Sequence, residues 1–351
     1  MADSYSTAER PSEAAEGPPR GRLWWRLAMV GVAAVALYLF APVFTELLSA
    51  WPDLAEIAPG SFALMFLAEL TSFGCVWLLQ RLAFVGAPWF ALISSQLASN
   101  AFSRVVPGGA AAGGALQYRM LTDAGVDTAR SAAGLTAISL ITTASVFMLP
   151  LLSVPAIATG VQVPSGLLTT AWVGGIAFAL MFLAGLWLVV SDQPLMLTGR
   201  FVIGLQRRLG REVDPNLSNR LLSERAQVVR SLGARWPWAV ATSVGKWLFD
   251  YLALLAALAA VGDETRPSLV LLAYVAGAVL AMIPITPGGL GFVEAGLLGG
   301  LTAAGVTPGR AAIAVLAYRL VSYWLPLMAG LGAWVSFRAR ARLGGVSKVA
   351  N

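Results

Sequence analysis

Apolar residues run through this chain in blocks of about twenty, the length that carries a helix across a bilayer core of about 30 Å. Six blocks fit a full span: residues 23–48, 60–82, 130–152, 167–190, 236–261 and 310–337. Two further apolar stretches, 88–106 and 267–285, each run into Pro-Gly-Gly, at Pro107-Gly108-Gly109 and Pro287-Gly288-Gly289. The segments after those breaks, 110–120 and 290–300, are too short to span as helices. Plain hydropathy therefore counts eight apolar helices. The pattern predicts an all-α polytopic membrane protein with about six full spans plus two re-entrant hairpins.

Composition agrees with that reading. The chain is 58% hydrophobic and 12% charged, against roughly 45–50% and about 25% in soluble domains. One transmembrane domain over 20–337 is expected, between a polar, disordered tail at 1–19 and a basic tail at 338–351. The first apolar run is long and no small-residue cleavage site follows it, so it reads as an anchor. The chain has no histidine and one cysteine, Cys75, inside an apolar run. That removes the commonest general base and the commonest metal ligand, and neither a cofactor nor a metal is expected.

Basic residues set direction. Arg20, Arg22 and Arg26 put the N-terminus in the cytoplasm, and Arg338, Arg340, Arg342 and Lys348 put the C-terminus there too. The 191–235 segment carries eight arginines and belongs inside, while the loop with Asp53 and Glu56 has no base and belongs outside. These assignments agree only if each Pro-Gly-Gly region leaves the membrane on the face it entered. The first hairpin then opens to the cytoplasm and the second to the outside. Segment 191–235 reads as two amphipathic helices on anionic lipid, with the capacity to dock a cytoplasmic enzyme. The pI of about 9.9 does not point to nucleic acid, because arginines beside spans are what inner loops carry.

Sliding the chain by 180 residues superimposes the two Pro-Gly-Gly breaks, and 12 of the 31 positions from 107 to 137 then match. Leu121-Thr122, Ala124-Gly125-Val126 and Arg130 meet Leu301-Thr302, Ala304-Gly305-Val306 and Arg310. The expected units, about 60–152 and 236–337, are each span, hairpin, span, and the charge argument gives them opposite orientations. Inverted repeats with broken helices surround a pathway in many transporters. Helices restarting after Pro-Gly-Gly direct free N–H groups at the hairpin tip, a setting for an anion.

Ionisable residues inside spans are functional suspects. Glu69, Lys246, Asp250, Glu294 and Arg319 qualify, with Arg104 and Arg119 flanking the first tip. Lys246 and Asp250 stand four apart on one helical face and can pair. Arg319 needs a carboxylate, carbonyls or a phosphate, and Glu294 is its expected resting partner. Ser94, Ser95, Gln96, Ser99, Asn100 and Ser103 make 88–106 polar enough for a wet wall.

The order Pro284-x-Thr286-Pro287-Gly288-Gly289-Leu290-Gly291-x-x-Glu294, then Tyr318-Arg319-x-x-Ser322-x-Trp324-x-Pro326-x-x-x-Gly330, resembles the signature of the flippase-like transmembrane domain of lysylphosphatidylglycerol synthases. Asn100-x6-Pro107-Gly108-Gly109 through Arg119 is similar to that family's first motif, departing from it in the Ala-rich 109–114 loop and Tyr118. The resemblance covers about 23–337. It implies a bacterial or archaeal inner-membrane protein that moves lipids or lipid-linked molecules between leaflets. The full-length synthases add an aminoacyltransferase domain; with 14 residues after position 337, lipid aminoacylation is not expected here.

Together these readings predict a flippase-like transporter, not an enzyme, for a membrane lipid with an anionic headgroup. Arg104, Arg119 and Arg319 would attract phosphate. Asn100, Ser322, Thr286 and the two Pro-Gly-Gly tips would line the site, while Glu69, Lys246 and Asp250 are candidates for charge coupling. Two other classes stay open. An intramembrane transferase would turn over a lipid donor when purified. A scaffold for a lipid-modifying enzyme would lose function on deletion of 191–235 but not of the hairpins.

Overall fold

A computed structural model describes residues 57–106, 109–153, 233–282 and 287–349, with Pro52 and scattered positions between 165 and 226. The 1–19 tail, the 23–48 span, most of 167–190 and 191–235, and Pro107, Gly108 and Thr286 lie outside the described residues.

Every regular element among the described residues is a helix. The first group is α1 (Pro59–Ala83), α2 (Trp89–Val105), α3 (Gly109–Asp123) and α4 (Thr128–Met148), with a 3-10 turn at Leu149–Ser153. The second is α5 (Trp236–Ala260), α6 (Pro267–Met282), α7 (Phe292–Ala303), α8 (Pro308–Arg319) and α9 (Leu325–Val349). A 3-10 turn at Pro287–Gly289 joins α6 to α7, and a π-turn at Leu320–Trp324 joins α8 to α9. Proline in the first turn starts α1, α5 and α8, where its missing N–H costs nothing.

Among the described residues, four helical stretches are long and apolar enough to cross a membrane: Pro59–Ala83, Thr128–Leu152, Gly233–Ala260 and Pro308–Arg340. They coincide with four of the spans expected from the sequence. Between them, α2, α3, α6 and α7 have 17, 15, 16 and 12 residues. At about 1.5 Å per residue none reaches the 30 Å of a hydrocarbon core. The chain is thus a helical, multi-pass membrane protein whose long helices alternate with pairs of short ones.

The turn from α3 to α4 and the turn from α7 to α8 close in the same way. Gly125 N–H donates to the Thr122 carbonyl and Val126 N–H to that of Leu121; Gly305 and Val306 do the same to Thr302 and Leu301, all at 3.0 Å. This is the Schellman ending, which needs a left-handed residue after the helix. Gly125 and Gly305 supply it with φ of +90° and +104°. Beyond each turn an arginine reaches back to the end of an earlier helix. Arg130 donates to the Val85 carbonyl at 2.9 Å and Arg310 to that of Gly262 at 3.1 Å.

Small residues set how closely the helices pack. α1 lies along α5, α6 along α7, and α2 between α3 and α9. Gly330 of α9 sits against the Leu97 carbonyl and Ala101 of α2 with no room for a Cβ. With no water to drive association inside a bilayer, such close backbone contact is a main source of helix–helix attraction. Tyr251, Leu254, Leu272, Leu297, Leu301 and Val315 fill the largest apolar core, among α5 to α8.

Candidate functional site

The short helices do not close completely on the long ones. A cavity of about 290 Å³ remains among α1, α2, α5, α6, α7, α8 and the π-turn. Its lining is unusual for a membrane interior, because Glu69, Arg104, Lys246, Asp250 and Arg319 all face it.

One wall is built around Tyr323. Pro326 has no N–H for the turn before it, and there the helix widens so that Leu325 N–H bonds to the Leu320 carbonyl. Widened turns of this kind recur at functional sites. Two guanidinium groups stand over the buried Tyr323 ring, Arg104 at 4.6 Å and Arg319 at 4.4 Å from its centroid. Arg104 also donates to the Tyr323 carbonyl. Each cation over a desolvated ring is worth roughly 0.5–2 kcal/mol, so one aromatic ring helps hold two like charges together.

Glu294 neutralises one of them. Arg319 Nε donates to Glu294 Oε1 at 2.6 Å, and the other oxygen, Oε2, accepts from the Gly291 N–H at 2.8 Å. Gly291 is the N-cap of α7, so the carboxylate ties the start of that helix to Arg319. The Pro-Gly-Gly tip packs alongside: a Cβ on Gly288 (φ +62°) would collide with Tyr323.

The opposite wall centres on Asp250. Its Oδ2 accepts from Lys246 Nζ at 3.2 Å and Tyr274 OH at 2.8 Å, and its Oδ1 from Tyr318 OH at 2.7 Å. Lys246 Nζ also lies 3.2 Å from the Trp247 ring centroid, and Ser72 Oγ donates to the Lys246 carbonyl at 2.9 Å. Glu69, only 6% exposed, stands beside Asp250, Lys246 and Arg104. Three lining residues carry buried polar atoms without a hydrogen-bond partner: Glu69 Oε2, Asn100 Oδ1 and Arg319 Nη2. Buried polar groups are nearly always satisfied, so each such atom calls for an explanation.

The structure therefore gathers Glu69, Asn100, Arg104, Lys246, Asp250, Arg319 and Ser322 around one space, with Glu294 and Gly288 directly behind it. It does not bring in Arg119, whose side chain is 79% exposed and 3.9 Å from Asp123. Gly109 faces the Ser103 carbonyl in the α2–α3 contact, while Gly289 packs on Val293 and Ala281. Sequence reasoning overlooked Tyr274, Trp247 and Ser72. Tyr274 left one trace, as the only phenol in the apolar run 267–285.

Chemically, the arrangement suits an anion. Arg104 and Arg319 present charge and N–H groups to a cavity walled by apolar helices, where each hydrogen bond is stronger than in water. Comparison with known proteins agrees on the setting. The model of the lysylphosphatidylglycerol synthase TM region matches residues 24–330, and the chain belongs to that family. Two UPF0104 membrane proteins of Methanothermobacter thermautotrophicus are similar over shorter stretches. One is 28% identical over 87 residues, 25% of this chain and 26% of the relative; the other is 30% identical over 95 residues, 27% of each. The aligned stretches thus span about a quarter of these relatives' length.

Proposed function

We propose that this member of the lysylphosphatidylglycerol synthase TM region family is a lipid translocase. It carries an anionic phospholipid or lipid-linked intermediate between the leaflets of a bacterial or archaeal plasma membrane, with both termini cytoplasmic, and catalyses no bond change. The observation that carries this reading is the pair of guanidinium groups on Tyr323, Arg319 buried with an unpartnered N–H and Arg104 half-buried, facing a cavity inside a membrane bundle. Arginine matches phosphate geometry, and its charge is costly in a bilayer unless something compensates it. A phosphate headgroup bonded by Arg104 and Arg319, and by Asn100 or Ser322, takes over from the wall carboxylates as partner of these charges while its chains stay in lipid.

The same reading makes the two short-helix pairs re-entrant hairpins of an inverted repeat. The matched Schellman endings and the back-reaching Arg130 and Arg310 support it. Rocking one repeat against the other would expose the cavity to each leaflet in turn.

Reconstitution tests the proposal. Vesicles carrying fluorescent phosphatidylglycerol in both leaflets lose only outer-leaflet signal to dithionite unless lipid crosses. The native protein is expected to accelerate loss of the inner-leaflet signal, and Arg319→Ala is expected to abolish that acceleration. Equal rates with and without protein, over a panel of anionic lipids, would overturn the proposal.

A further inference from the structure

We propose that Glu69 is a proton-binding site linked to the anion site, so that a monoanionic phosphate group and one proton occupy the cavity together. The inference rests on the anion-site reading above and adds the identity of the second ligand.

The argument is a charge balance. Among the described residues, Arg104, Lys246 and Arg319 face the cavity, against Glu69 and Asp250 on its walls and Glu294 behind Arg319: three positive groups and three carboxyls. A phosphodiester brings one more negative charge into a space that water solvates poorly. An uncompensated charge there is strongly disfavoured, so the site must discard a negative charge when the anion arrives. Taking up a proton on one carboxyl does this without moving any helix.

Hydrogen-bond accounting selects which carboxyl. Asp250 accepts from Lys246, Tyr274 and Tyr318. Glu294 accepts from Arg319 and the Gly291 N–H. Bonds of this kind favour the charged form, and a proton on either group would break one of them. Glu69 differs. It has no ion-pair partner among the described residues, and its Oε2 is buried without a donor. The groups that face it are Lys246 and Asp250 from α5, Arg104 from α2, Tyr274 from α6, and Tyr318 and Arg319 from α8. Glu69 already stands within hydrogen-bonding reach of the Asp250 carboxyl; above the pH at which the free site loses the proton they share, Arg104 and Lys246 offset the charged Glu69. With the anion present, Arg104 turns to the phosphate, and a protonated Glu69 can donate to Asp250, satisfying the orphaned oxygen.

The balance is one proton bound per monoanion bound and one released per monoanion released. Lipid transfer is then driven by a proton gradient wherever one exists.

Titration calorimetry on the full chain in detergent tests this, using dihexanoyl phosphatidylglycerol and, separately, dimethyl phosphate. Both are phosphodiesters that do not titrate near neutrality, so any proton comes from protein or buffer. Repeating each titration in buffers of different ionisation enthalpy gives the protons taken up. The expected result is about one proton per lipid, with affinity falling about tenfold per pH unit where Glu69 exchanges. Glu69→Gln is expected to bind with no proton uptake and no such pH dependence. Binding by the native protein with zero uptake overturns the inference while sparing the anion site; this number decides even if Glu69→Gln fails to fold. One proton still taken up by a folded Glu69→Gln variant assigns the proton elsewhere and also overturns it. No saturable binding by either probe overturns the anion site and the inference with it. Binding of dimethyl phosphate as tight as that of the lipid would make the ligand a free phosphodiester, with the proton linkage unchanged.

Discussion

The bond from Arg319 to Glu294 gives the most exacting check, because it joins the hairpin break to the buried arginine. The perturbation is a double-mutant cycle of Glu294→Gln, Arg319→Met and the two combined. Both side chains are largely buried, 11% exposed for Arg319 and 16% for Glu294, and their contact is 2.6 Å. Removing one partner of a buried pair strands the other charge, at about 3–5 kcal/mol. The opening toward the cavity argues for the lower end, about 3 kcal/mol for each single change. Removing both charges strands neither, so the double variant should lie no further below the native protein than either single variant, not about 6 kcal/mol below it. The coupling, at least about 3 kcal/mol, is the quantity to measure. Unfolding in mixed micelles titrated with dodecyl sulfate, followed by the fluorescence of the 12 tryptophans, reports it. A double variant whose loss equals the sum of the singles would refute the reasoning, since the two groups would then act independently.

Further outcomes follow from the same geometry. Tyr323→Phe keeps the ring under Arg104 and Arg319 and should translocate lipid within about threefold of the native rate, whereas Tyr323→Leu loses both ring contacts, roughly 1–4 kcal/mol together, and should slow dithionite-detected transfer at least tenfold. Gly288→Ala places a methyl on a left-handed residue against Tyr323 and should cost about 2 kcal/mol or more in the same unfolding assay; Gly86→Ala, equally left-handed at φ +89° but in open space, should cost only about 1 kcal/mol. Gly330→Val should force α9 away from α2 and lower the unfolding midpoint, and a midpoint equal to the native one would mean the helices do not touch there. Arg119→Ala should leave transfer unchanged, because an exposed pair at 3.9 Å contributes little.

Much of the architecture is local, and the sequence alone determined it. Blocks of about twenty apolar residues, prolines at 59, 237 and 308, and Pro-Gly-Gly at 287–289 dictate where helices start, run and stop. The repeated Leu-Thr-x-Ala-Gly-Val folds into two identical turns, since a Schellman ending depends only on a few consecutive residues. Lys246 and Asp250 were legible as a pair because one helical turn separates them. Glu69, Arg104 and Arg319 stood out because a charge in an apolar run needs a reason.

Which of these groups meet was decided only by the tertiary structure. Arg104 and Tyr323 are 219 positions apart, and nothing in either segment specifies the other. α6 is apolar on every side apart from Ser268 and Tyr274, so no polar stripe marks the face that turns inward. The rotation of each helix is set by where small residues let backbones approach, as Gly330 does against Leu97, and that choice depends on the partner helix. The same limit explains Arg119, which the motif placed beside the tip and the packing of α3 turns outward. It explains Tyr274 as well: one hydroxyl in an apolar run has no stated purpose until Asp250 is found 2.8 Å away. Sequence fixes the helices and their breaks because those are short-range. The site is long-range, made by side chains from α1, α2, α5, α6, α7 and α8 that share a space only after the bundle has packed.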